Sequence, residues 1–184
     1  MKKLIALLLA LMMILPVYAE EAEGLLAPFV ITTPAGTTTI NGAGGASVTF
    51  LHPNGTTRVV AMVLRRVPDP EADHGAVLQA LLAQLEPQAQ PGTSIQNMTA
   101  GFHGLKAAAP GVREGLNEMR VDQVTALVMW QTALEAELLI LAGYDMAGDT
   151  AAVEAFIDTL LAGAAVRGAP VMALPVLTDA QPMG

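Results

Sequence analysis

Two periodicities alternate along this chain, and the switches between them mark out its elements. Near the C-terminal end Val153, Phe156, Ile157, Leu160 and Leu161 fall at i, i+3, i+4, i+7 and i+8, the stripe of a helix laying one face on a core. Asp149 or Thr150 is placed to cap it and Gly163 to end it. Just upstream, Val124, Ala126, Val128 and Trp130 alternate as strand residues do, while Leu127, Leu134, Leu138 and Leu141 also suit a helix. Glu135 and Glu137 interrupt this run, and two carboxylates inside about 20 residues oppose a membrane span. The pattern predicts two strands, over 119–131 and 137–145, with a polar bend at 132–136. One helix over 123–142 is the alternative, because the bend lacks the Gly or Asn-Gly of a tight hairpin.

The first half of the chain reads mainly as strands. Residues 25–33 and 37–40 are predicted strands around a Pro34-Ala35-Gly36 turn. Residues 47–52 and 56–67 flank Pro53-Asn54-Gly55, the strongest hairpin signal present. In the second of these, Val60, Met62 and Leu64 oppose Val59, Ala61 and Val63, so both faces are apolar. Such a strand belongs in the middle of a sheet covered on both sides. A helix follows, with Asp69 as its expected N-cap, Pro70 in its first position and Val77, Leu78, Leu81, Leu82 and Leu85 as its stripe before Pro87. Residues 93–108 predict one or two strands bent near Gly101 and Gly104. Beyond Gly163, Pro170, Pro175 and Pro182 among small apolar residues predict an extended arm over 164–184.

Residues 1–19 stand apart from this pattern. Lys2 and Lys3, the apolar run from Leu4 to Leu15, Pro16 and the small-residue end at Ala19 make a secretory signal peptide, cleaved near Ala19. Its apolar core is too short for an ordinary anchor. The expected location is therefore secreted or periplasmic, with no stable membrane span after cleavage and one α+β domain over 25–163. The remaining 165 residues of the 184 suffice for one core, burying roughly 70% of the unfolded surface. There is no cysteine, which removes disulfides, thiolate metal sites and cysteine catalysis. With two lysines in the leader, the rest carries 7 basic against 17 acidic side chains, a formal net charge of −10. That opposes binding to nucleic acid.

Catalytic motifs are missing from the pattern. There is no Gly-x-Ser-x-Gly elbow, no Ser-x-x-Lys pair and no His-Glu-x-x-His. The glycine-rich stretch 41–46 lacks dinucleotide or P-loop spacing and runs into a strand. No catalytic residue and no cofactor is assigned. Asp69, Glu71, Asp73 and His74 form the densest charged cluster; helix capping is the ordinary account, and an Asp/Glu/His metal site is the sharper one. Arg65 and Arg66 end their strand as surface residues or as a small anion site. Ser94 with His103 is an example of a nucleophile and base that only the fold can join. The 10 methionines, three of them in the leader, show no short-spaced cluster and read as core fillers.

The order of strands and helices, the Phe-containing first strand ahead of Pro34-Ala35-Gly36, and Leu138-Leu139-Ile140-Leu141-Ala142-Gly143-Tyr144-Asp145 running into a terminal helix resemble the PsbP-like sandwich proteins over 28–163. The resemblance implies a three-layer α/β/α sandwich around an antiparallel β-sheet, in proteins that act as accessory or assembly factors. The expectation is an exported, non-catalytic protein with a protein partner in the bacterial cell envelope. A small-molecule or metal-ion binding domain is the alternative, and a small hydrolase the third.

Overall fold

The computed structural model describes residues 24–42, 45–67, 69, 71–86, 93–97, 102–109 and 122–167, with the backbone alone for 93–97. Nine strands and two helices occur in these segments: β1 (Phe29–Ile31), β2 (Thr38–Asn41), β3 (Val48–Leu51), β4 (Thr57–Arg66), α1 (His74–Leu85), β5 (Thr93–Asn97), β6 (Phe102–Ala109), β7 (Gln123–Gln131), β8 (Ala136–Asp145), α2 (Thr150–Ala162) and β9 (Ala164–Val166). Seven strands form one antiparallel sheet in the order β2-β3-β4-β8-β7-β6-β5, and β1 pairs with β9 in a separate ribbon. The fold is α+β, an antiparallel sheet with helices packed on it, one on each face. The expected leader lies outside the described residues, and no helix within them is long and apolar enough to cross a membrane.

Alternation along the central strands sends one set of side chains to each face. Val59, Ala61, Val124, Ala126, Val128, Leu139 and Leu141 meet Val153, Phe156, Ile157, Leu160 and Leu161 of α2, with Phe29 and Val166 of the ribbon closing the same core. On the other face Leu105, Ala107, Leu127, Met129, Leu138 and Ile140 meet Leu78 and Leu82 of α1. All five residues of the predicted α2 stripe are buried. The α2 side of β4 is covered, while on its other side Val60 and Met62 are half-buried and Leu64 is exposed, so the expected cover on both faces is only partly met.

The run 123–142 is a hairpin and not a helix. Thr132 replaces the missing glycine chemistry: its Oγ1 accepts from the amides of Leu134 (3.2 Å) and Glu135 (3.1 Å), and its own amide donates to the Glu135 carbonyl (2.8 Å). A hydroxyl turn of this kind needs no positive φ. In the β3–β4 turn, Asn54 Oδ1 accepts from the Thr56 and Thr57 amides beside Gly55 at φ +79°.

Three expectations are corrected. The cap of α1 is Asp73, whose Oδ1 accepts from the Ala76 amide (3.1 Å), and the helix starts at His74. Asp69 instead closes its own turn onto the Glu71 amide (3.1 Å), so two acids compete and the later one caps. The strand expected over 25–33 is confined to Phe29–Ile31. Residues 164–166, assigned to the arm, are β9, held in register by β1; 168–184 lie outside the described residues.

Gly163 ends α2 with φ −87°, so conformational freedom is not its reason. A Cβ there would stand 2.1 Å from the Thr32 carbonyl oxygen, whose residue also takes the Gly163 carbonyl at 2.8 Å. The glycine permits the ribbon to close on the helix. Asp145 joins three elements at the other end. Its Oδ2 accepts from the Thr56 (2.7 Å) and Thr57 (2.6 Å) hydroxyls, and its Oδ1 from the Ala147 (2.7 Å) and Asp149 (3.4 Å) amides. Burial pushes this carboxyl up, but the hydrogen bonds from Thr57, Thr56, Ala147 and Asp149 together hold it below the usual aspartate value.

Two outcomes follow for stability. Gly163→Ala forces backbone against backbone and lowers unfolding free energy by about 1–3 kcal/mol in urea titration; an unchanged midpoint would mean that β1 shifts freely. For Asp145, whose folded pKa is depressed, the stabilisation is present above the unfolded value of about 3.9 and is lost as pH falls through the folded one. Asp145→Asn turns a donor toward donors, costs about 1–3 kcal/mol near neutral pH, and flattens the acid limb of the stability curve.

Candidate functional site

At the end of the sheet opposite Asp145, a cleft of about 380 Å³ opens between the α1 face and the first turn of α1. The register builds its floor. Ala136 pairs with Arg66 on one side and Gln131 on the other, so these three stand in a row across β4, β8 and β7. The small side chain in the middle leaves the space that the flanking Arg and Gln border. Met129, in the next row, and Val77 of α1 supply apolar walls. Val67, Asp69 and Ala72, in the connection from β4 to α1, complete the rim, and His74 enters as the first residue of the helix.

Behind His74 lies His103 of β6, paired across the ladder with Met129 and only 8% exposed. The two imidazoles stack at 4.2 Å between centroids, tilted by 40°. His74 Nε2 and His103 Nδ1 are both buried without a hydrogen-bond partner among the described residues. Burial, and secondarily the neighbouring His74, hold the His103 pKa below the ordinary histidine value.

Of the cluster 69–74, only Asp69 and His74 reach the cleft. Asp73 is occupied as a cap, and Glu71 is exposed. Among the described residues no three His, Asp or Glu side chains converge as a metal site. Ser94 pairs with Leu105, while His103 pairs with Gln96, and the Ser94 side chain lies outside those described. Arg65 does not join Arg66, because adjacent strand residues point to opposite faces. It bonds Glu137 on the α2 face, Nε to Oε1 at 3.1 Å. Burial raises the Glu137 pKa, Arg65 lowers it and Glu135 raises it, with a net upward shift, and its Oε2 is buried without a hydrogen-bond partner among the described residues.

A second feature shares the face of the cleft. Among the described elements α1 packs on β6 and β7, so the part of that face carried by β2, β3 and β4 stays open. Along it Val60, Met62, Ala142 and Tyr144 are half-buried, and Ile40 and Leu64 are exposed at 49% and 45%. Arg58 and Arg66 stand on the same side of β4 as these residues.

No family model and no curated protein matches this chain. Its fold is similar to that of LpqN of Mycobacterium tuberculosis, a protein described as involved in cell envelope biogenesis, with TM-score 0.55 and 12% identity over 76% of this chain and 83% of that one. A structure from Bacteroides thetaiotaomicron VPI-5482 aligns with TM-score 0.45 and 12% identity, over 77% of this chain and 46% of that one. At such identity the likeness to LpqN is one of fold.

The stacked histidines generate a test by NMR titration. His103 is expected to titrate below the ordinary value of about 6.5. Because its folded pKa is depressed, the stability it contributes is present above the unfolded value and lost as pH falls through the folded one. An ordinary titration for His103 would show that its ring is solvated and not held against His74.

Proposed function

We propose that the chain is an exported, non-catalytic accessory protein of the bacterial cell envelope, acting through contact with another envelope protein. The observation that carries this reading is the apolar half of the sheet face over β2, β3 and β4 that no described element covers, with Ile40 and Leu64 exposed on it. A leader at 1–19 and a fold similar along most of its length to LpqN, an envelope biogenesis protein, support it. In this reading residues 25–166 are the working domain, and the sandwich is of the PsbP-like kind, on the order of its elements.

The partner's contact surface is apolar with an acidic border. Val60, Met62 and Leu64 offer the apolar part, while Arg58 and Arg66 supply positive charge within a chain that is otherwise strongly acidic. Neither arginine forms an ion pair among the described residues. Such a contact gains from apolar burial and takes its orientation from the charges.

A photo-crosslinking side chain placed at Leu64 tests this in cells of the source organism. The expected result is one stoichiometric adduct with an envelope protein, lost in Ile40→Glu and Arg58→Glu variants whose melting temperatures stay near that of the parent. Adduct formation that ignores both substitutions, or recovery of the chain alone, sinks the proposal.

A further inference from the structure

The cleft at the α1 end of the sheet holds opposite charges that do not neutralise each other. Arg66 and Asp69 both line it, three positions apart in the chain, yet neither forms an ion pair among the described residues. Asp69 uses Oδ1 to close its own turn. The same cleft is lined by the apolar side chains of Met129 and Val77 and by Gln131 and His74. Opposite charges that are not paired with each other, beside apolar side chains, are complementary to a molecule that carries its own separated charges and one apolar side chain.

We propose that this cleft binds a small zwitterion, an apolar α-amino acid or the corresponding dipeptide. Arg66 takes the carboxylate, Asp69 takes the ammonium, and Met129 and Val77 receive the apolar side chain. The Gln131 amide supplies a further hydrogen bond.

Other ligand chemistries fit less well. A simple anion would meet the Asp69 carboxylate at the rim, and a simple cation would meet Arg66. A metal ion would find one His and one carboxylate, short of a stable set. The volume, about 380 Å³, lies near the lower end of the range for small-ligand sites, suiting a compact guest. Arg66 belongs to both this cleft and the protein contact proposed above, whereas Asp69, Met129 and Val77 belong to the cleft alone, so Asp69→Asn separates failure of this assignment from failure of that one.

The test is calorimetric titration of the leaderless chain with leucine, methionine and leucyl-leucine. The controls are 4-methylpentanoate, which keeps only the carboxylate, and leucinamide, which keeps only the ammonium. The expected result is binding of at least one zwitterion, weakened about tenfold or more in each control, Arg66→Gln weakening the zwitterion and Asp69→Asn likewise. Both substituted side chains are exposed, so the variants keep the fold, which an unchanged melting temperature verifies. Amino acid and dipeptide arms distinguish the two sources of the same chemistry. Equal binding of 4-methylpentanoate and leucine, indifference of binding to either substitution, or no heat with any zwitterion would overturn the assignment.

Discussion

Ten consecutive residue pairs join β4 to β8, from Thr57↔Asp145 to Arg66↔Ala136, and the rest of the molecule is arranged around that ladder. Both strands are apolar on both faces, so each alternate residue must find a separate core. One set is met by α2 and the β1–β9 ribbon; of the other, Leu138 and Ile140 of β8 join the core under α1, while the β4 residues are covered only in part. A slip of β4 by one residue in this pairing would turn Val59 and Ala61 away from α2, to the other face of the sheet. Two chemical devices pin the register instead of length alone. Asp145 takes two threonine hydroxyls from the start of β4, and Gly143 admits Val153 and Ile157 where any Cβ would meet Val153 at 2.6 Å.

The same ladder makes the two ends of the sheet unlike. At one end a buried carboxylate is saturated by four donors, and the helix after it is capped by Asp149. At the other, the pairing closes on alanine, and the neighbouring Arg66 and Gln131 face a cleft with two unpartnered imidazole nitrogens nearby. A satisfied network rigidifies, whereas unsatisfied polar groups are retained at a cost. The asymmetry therefore places structural stability at the Asp145 end and leaves chemistry available at the other.

How much of this could be read in advance depends on the range of the interaction. The α2 stripe was legible to the residue because helical periodicity and its cap are local, and the Asn54-Gly55 hairpin for the same reason. The start of α1 was misplaced by four residues since Asp69 and Asp73 offer the same side chain, and only the Asx turn at Asp69 decides between them. The 132–135 bend was ambiguous because a threonine hydroxyl performs the task that sequence rules assign to glycine. Three of the nine residues lining the cleft, Asp69, Ala72 and His74, lay in a segment already conspicuous for its charge. Met129, Gln131 and Ala136 were invisible, as they come from two strands brought together by register, and His103, considered only as a base for Ser94, stacks on His74 instead. Single-residue alternation in β6 and β7 fixes their face, but not their neighbours.

Charge distribution adds a constraint that composition conceals. Outside residues 1–19 the chain carries 7 basic side chains against 17 acidic ones, and three of the basic ones, Arg58, Arg65 and Arg66, stand on β4. Lys106 is bound to Asp158 of α2 at 2.9 Å, and Arg65 to Glu137. Arg58 and Arg66 thus stand on the face that α1 leaves partly open. At physiological ionic strength the field of the acidic body fades within about 8 Å. A molecule already at that face therefore responds to the two arginines before it responds to the net charge. An acidic overall balance, which argues against nucleic acid at long range, is for this reason compatible with recognition of carboxylates at short range, and β4 is where that reversal is built.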